Sequence, residues 1–163
     1  MITDPITSME EAIVARLGER LPGRFDRVEP FPAAPDQYDF AECDAVALVH
    51  YAGGEYGPTG SGPRTAYAAA RKITWAVVLL VRSLRGSDGG TIGAYEALEE
   101  VRLALQGVSL AGATPLTPVR ETLDEHKAGV WRWTLELTAS LPALAQAQHE
   151  LAPFYTHARQ QQP

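Results

Sequence analysis

The chain predicts an α+β domain, and three observations carry that prediction. Residues 9–21 and 92–106 repeat apolar side chains at helical spacing, whereas 45–51 and 73–81 are unbroken apolar and β-branched runs of strand length. In the last third, Trp131, Trp133, Leu135 and Leu137 alternate strictly with Arg132, Thr134, Glu136 and Thr138, the pattern of a strand with one face buried and one wet. With 163 residues the chain fits one domain, 1–140, followed by a C-terminal extension, 141–163. At that size folding buries roughly 70% of the surface that the unfolded chain exposes, enough for a real core.

The first helix is expected over 9–21. Ser8 stands where an N-cap would, Glu11 three residues on completes a capping box, and Ile13, Leu17 and Leu21 form the buried stripe. Pro22-Gly23 ends it, and 24–31 reads as a short strand closed off by Pro30, Pro32 and Pro35, with 32–43 as loop. Residues 45–51 and 73–81 are the two central strands. Between them lies a long segment, 52–72, rich in Gly and Pro, which reads as a mobile arm, since so long a loop inside a compact domain is usually functional or disordered. A turn at 86–91 offers Asp88 or Thr91 as the cap of the second helix, 92–106, which buries Leu98, Val101 and Leu105 and keeps Glu96, Glu99 and Glu100 in water before Gly107 stops it. Its small residues Gly93, Ala94, Ala97 and Ala104 permit a close approach to a sheet. Two strands follow, 116–123 and 130–138, joined by a polar turn at 124–129, with Pro118 marking a sheet edge. Truncating Trp133 to Ala is expected to cost about 3–5 kcal/mol if its face is core. From Leu141 onward an Ala- and Gln-rich stretch reads as a short helix and a frayed tail.

Composition excludes several classes. The chain is 45% apolar and 21% charged, and no apolar run approaches the ~18 residues that a membrane span needs, so no membrane partner is expected. Asp4, Glu10 and Glu11 replace the basic start of a secretory signal, which points to an intracellular origin. A net charge of −6 argues against coating duplex DNA, because affinity for phosphate grows with Lys and Arg contacts. The single cysteine, Cys43, excludes an internal disulfide and reads as a small buried hydrophobe.

No pattern for catalysis, metal or cofactor stands out. His50, His126, His149 and His157 never fall four apart, so no metal site is expected, and His50 reads as a hydrogen-bonded core or edge histidine. The Gly57–Gly62 stretch lacks the Gly-Lys-Ser/Thr of a phosphate loop, and its prolines remove backbone donors. Ser61 has no nucleophile-elbow spacing, and Glu10-Glu11 and Glu99-Glu100 sit on outer helix faces. What remains is the arm, whose Arg64, Arg71 and Lys72 face only Glu55 in an otherwise acidic chain. Tyr56, Arg64, Arg71 and Lys72 are therefore the candidate partner-binding residues. A solvated loop is the plain alternative.

Taken in order, 9–17, 45–53, 75–86, 93–98 through Val101-Arg102 to Gly107, Pro115-Leu116 and Gly129-Val130-Trp131 resemble the tail-terminator-like (tail-completion) family of Mu-like prophages. The resemblance covers about 9–138 and rests on order and spacing. It implies a mixed or antiparallel sheet of four to five strands flanked by two helices, with the arm between two central strands. It implies no enzyme and no cofactor, but a homo-oligomeric ring, sixfold, on the head-proximal end of a phage tail tube. Its partners would be copies of itself, the tube protein and a head or neck connector, with DNA met only in passing through the lumen. Its location would be the virion tail or a tail-like particle, assembled in the host bacterial cytoplasm. Two other readings stay open: a neck or other tail-completion protein of the same fold, and a small-ligand module using a cleft between helix and sheet.

Overall fold

The computed structural model describes residues 4–59, 62–87 and 90–145. Helix α1 (Pro5–Arg20) leads into strand β1 (Arg27–Pro30), a single 3-10 turn (Pro35–Gln37), β2 (Ala45–Gly57) and β3 (Ala68–Val81). Helix α2 (Ala94–Leu105), β4 (Thr117–Lys127) and β5 (Val130–Leu144) follow. The five strands form one mixed sheet in the order β1-β2-β3-β5-β4, in which β1 runs parallel to β2 and every other pair is antiparallel. The expected α+β class and its two flanking helices are thus what the chain adopts.

Several boundaries differ, each for a physical reason. Helix α1 starts before Ser8: the Asp4 carboxylate accepts from the Ile6 amide at 2.9 Å and Pro5 takes the first helical position, where its missing donor costs nothing. Ser8 instead donates its hydroxyl to the Asp4 carbonyl. Helix α2 starts later than expected, at an N-cap Gly93 with no side-chain bond, so Thr91 does not cap it, and Asp88 lies outside the described residues. Its first amides are satisfied by the backbone, Ala94 donating to Ser83 at 2.9 Å and Tyr95 to Leu84 at 3.3 Å.

The segment 52–72 is a correction rather than a refinement. Most of it is not loop: β2 continues to Gly57 and β3 begins at Ala68, paired residue by residue as Gly54 with Ile73, Glu55 with Lys72 and Tyr56 with Arg71. The stretch 141–144 is not helix either, because Leu141 to Leu144 continue β5 against Arg71 to Ala68. Residues 146–163, where the remainder of the expected helix and tail falls, lie outside the described residues. The polar turn at 124–129 shrinks to Ala128-Gly129, both with positive φ (50° and 75°), a two-residue hairpin that suits the strand twist and releases 124–127 to β4. Pro118 does lie in an edge strand.

Both helices cover one face of the sheet. Met9, Ile13 and Leu17 of α1 and Ala97, Leu98, Val101 and Leu105 of α2 pack on Ala47, Val49, Ile73, Trp75, Val77, Leu79, Leu135 and Leu137. Trp133 is only half-buried at the margin of this core, so the full truncation cost expected for it belongs to Trp75, which is 0% exposed. A smaller cluster covers part of the opposite face, where Cys43, buried as expected, joins Val46, Leu48 and Val78 beneath Phe31, Tyr38 and Phe40. Arg82 pins that covering loop, donating to the carbonyls of Cys43 (2.7 Å), Phe40 (3.2 Å) and Ala41 (3.1 Å). Burial and a hydrogen bond to Glu29 push the Tyr38 phenol up to about 12.

Asp26 ties β1 to β2 at their start. Its carboxylate accepts from the amides of Asp44 (2.7 Å) and Ala45 (3.0 Å), and these bonds hold it below its ordinary value of 3.8. The stability this contributes is present above that ordinary value and is lost as pH falls through the lower folded one. Asp26→Asn is expected to lower stability by about 1 kcal/mol at neutral pH, a figure discounted for exposure, and to flatten the acid limb of a urea-melt series below pH 4.

Candidate functional site

Beyond the helices the sheet narrows to three strands. The far halves of β2 and β3 and the end of β5 (139–144) form a ribbon that carries the four residues singled out in the sequence. Strand alternation separates them. Tyr56 and Arg71 are cross-strand partners on the helix-covered face, whereas Lys72, opposite Glu55, points to the other face. Arg64, in the connection between the strands, donates to the Tyr56 carbonyl at 3.1 Å and holds the turn to the ribbon.

Arg71 sits between two rings. Its guanidinium carbon lies 5.7 Å from the Tyr51 ring centre and 5.7 Å from that of Tyr56, and one of its terminal nitrogens donates to the Tyr51 hydroxyl at 3.3 Å. That hydrogen bond raises the guanidinium further above its ordinary value, so the group is a cation at every physiological pH. Tyr51 in turn tilts onto Trp75 at 5.7 Å, linking the ribbon to the core. Its hydroxyl lies over Gly54, where a Cβ would come within 2.6 Å of the Tyr51 oxygen, so a larger residue there would have to displace the tip of the Tyr51 ring. Sequence reasoning missed Tyr51, because it stood at the end of a strand rather than in the arm. Arg71→Ala is expected to release both rings, cost about 1–2 kcal/mol and raise amide exchange across 52–57 and 68–73. Arg71→Lys is expected to restore little, since an ammonium lacks the planar stacking surface.

The ribbon ends in exposed apolar side chains: Tyr56 is 50%, Tyr67 59% and Leu144 71% exposed. On its other face Lys72 borders an open groove of about 360 Å³ with Ala52, Glu55, Thr74, Glu136 and Thr138. Glu136 is already engaged by Arg120, and the groove brings together no nucleophile and base. Among the described residues no three His, Cys, Asp or Glu side chains are placed to hold a metal, and no helix is long and apolar enough to cross a membrane. His50 is half-buried, edge-on to Phe31, with Nδ1 3.2 Å from the Tyr51 carbonyl, and His126 stacks on Trp131 at 3.9 Å. His149 and His157 lie outside the described residues.

A second apolar surface lies at the opposite end of the sheet. Tyr95 of α2 meets Trp133 edge-on at 6.3 Å, Leu123 of β4 stands opposite Trp133, and Arg85 lies over the outer ring at 5.8 Å. Tyr95 and Leu123 are 49% and 45% exposed. Strand β4 beside them is an edge strand exposed along almost all its length.

Fold and site together define a small α+β domain with projecting surfaces. The chain belongs to the Gp37 family, whose model, described as Gp37 protein, matches residues 13–160. No curated protein matches it. Among solved structures, a chain of the "Virion of native gene transfer agent (GTA) particle" is similar at 14% identity and a TM-score of 0.49, over 84% of this chain and 96% of that one.

Proposed function

We propose that this protein is a structural component of a phage-like particle and that it serves as a tail terminator. In this reading, copies close into a sixfold ring on the head-proximal end of the tail tube, stop its growth and offer a surface to the head or neck. The observation that carries the reading is the ribbon, which holds exposed Tyr56, Tyr67 and Leu144 beyond the helix-covered core on a spine stiffened by the Tyr51-Arg71-Tyr56 stack. Apolar side chains at the tip of a projection suit contact with a protein surface better than capture of a small molecule. The order of sequence features shared with Mu-like tail terminators supports the same assignment. The chain's charge of −6 fits a lumen through which DNA passes without being gripped.

The test is tube length. Removing the gene is expected to yield tail tubes of uncontrolled length, and adding purified protein to polymerising tube protein is expected to arrest growth with a ring visible at one end by negative stain. Tubes of normal length without the protein would overturn the assignment. Normal tubes that fail to join heads would move it to the neck.

A further inference from the structure

We infer that the C-terminal segment, around Phe154-Tyr155-Thr156, adds a strand to the sheet in the empty lane beside the far half of β2 of the same chain. The lane follows from the strand order. β1 pairs with β2 only from Val46 to Val49, and Phe31, donating to the Val49 carbonyl at 2.7 Å, ends that pairing. β2 runs on to Gly57 with β3 along one edge and, among the described residues, no strand along the other. Ala45 and Val49 turn their carbonyls to β1, and the surplus Ala52 shifts the alternation by one, so Gly54 and Tyr56 turn their backbone groups to the empty side. Arg64 already serves the Tyr56 carbonyl, which leaves the Gly54 amide and carbonyl and the Tyr56 amide to be met. Gly54, Glu55 and Tyr56 are all exposed.

An open edge invites an added strand, and the other free edges of this sheet are blunted. β1 ends at Pro30, β4 carries Pro118, two register shifts and a row of charges, and Pro142 removes a donor near the end of β5. From Gly53 to Gly57 β2 has neither a proline nor a further irregularity, so its edge suits an extended segment joined by main-chain hydrogen bonds. Position, reach and sequence assign that segment to 146–163. The Ala145 amide donates to the Tyr67 carbonyl at 2.9 Å, so the segment departs from the ribbon tip, three strand spacings from the lane, or ~14 Å. The residues before Phe154, 146–153, span up to ~26 Å, enough to cross the tip and turn back, and the returning chain runs antiparallel to β2. Phe154-Tyr155-Thr156 is a run of strand formers after an Ala- and Gln-rich stretch, and Pro153 stands at its start, where an edge strand tolerates one. Strand alternation then sets one of the two aromatic rings beside Tyr56, which is 50% exposed. The matched family region reaches residue 160, so these residues belong to the shared unit. A tether this short holds the segment at about millimolar effective concentration, which favours the lane of its own chain over that of a second copy.

Hydrogen exchange and crosslinking of the full chain test this. Mass spectrometry of the wild type is expected to show slowed exchange in peptides covering 153–158 as well as in 52–57. Tyr155→Pro with Thr156→Pro removes a donor of either alternation. This double variant is expected to release 153–158 and to speed exchange of the outward amides of Gly54 and Tyr56 by about tenfold or more, with 73–81 unchanged. Exchange of 153–158 in the wild type at the rate of a free peptide, or a 52–57 peptide indifferent to the double substitution, would overturn the added strand. A photo-crosslinking residue at Tyr155, in an equal mixture of isotope-labelled and unlabelled chains, identifies the acceptor without any destabilising change. Crosslinks to 50–57 within one isotope population support the docking; crosslinks between populations, or confined to other segments, overturn it. Neither readout depends on tube length, so the outcome is separate from that of the terminator reading.

Discussion

Trp75→Ala is expected to remove about 3–5 kcal/mol, the range for truncating a fully buried aromatic side chain. Trp75 is 0% exposed in the middle of β3, paired with Leu137 on one side and Tyr51 on the other. Its loss would open a void where the helices meet the sheet and remove the ring against which Tyr51 leans. A domain of this size holds about a dozen kcal/mol in all, and each kcal/mol is worth about 2–4 °C, so the melting temperature should fall by about 6–20 °C. Trp75→Phe should cost far less, since it keeps a ring in place and removes an indole N–H that has no acceptor among the described residues. Calorimetry of the two variants checks the pair, and equal losses would overturn the volume argument.

Gly93→Ala is the second large effect, expected to cost about 3 kcal/mol or more. A Cβ at Gly93 would fall 2.3 Å from the Gly86 nitrogen and 2.4 Å from the Arg85 carbonyl carbon, both backbone atoms that cannot rotate aside. The chain leaving β3 and the start of α2 touch at this point, and the Ser83 and Leu84 carbonyls serve the first helix amides there. Relief would require the helix to lift, which breaks those bonds and its packing on the sheet. The opposite sign is expected at Gly18, in the exposed last turns of α1 with nothing within 4 Å of its Cβ, where Ala should add about 0.5–1 kcal/mol. Urea melts of the two variants give the comparison directly.

What was legible in the sequence was whatever a local period could carry. Ile13 and Leu17, Leu98 and Val101, and the alternation through Leu135 and Leu137 each report burial that the packed sheet then provides. The start of α1 carried two competing signals, and Asp4-Pro5 prevailed over Ser8-Glu11 because a rigid Pro at the first helical position lets the helix begin a turn earlier. The length of the ribbon was not legible. Gly53, Gly54, Gly57 and Pro142 read as strand breakers, yet they are accepted because pairing with β3 supplies the order that their own propensities withhold. For the four arm residues, position in the chain carried nothing about their grouping, since only cross-strand register shows that Tyr56 belongs with Arg71 and that Lys72 faces away.

That register depends on one surplus residue. Between Tyr51, opposite Trp75, and Gly53, opposite Thr74, strand β2 slips by a position and leaves Ala52 unmatched. Counting evenly along the chain, Tyr51 and Tyr56 have opposite parity and should never share a side; the slip cancels that mismatch. Had β2 run on without it, Glu55 rather than Tyr56 would have come to the side of the Tyr51 ring, and the guanidinium would have met a carboxylate. An exposed ion pair of that kind slackens as ionic strength climbs. The irregularity gives the projection a clasp made of two phenol faces instead, one whose grip owes much to contact area and little to the surrounding electrolyte.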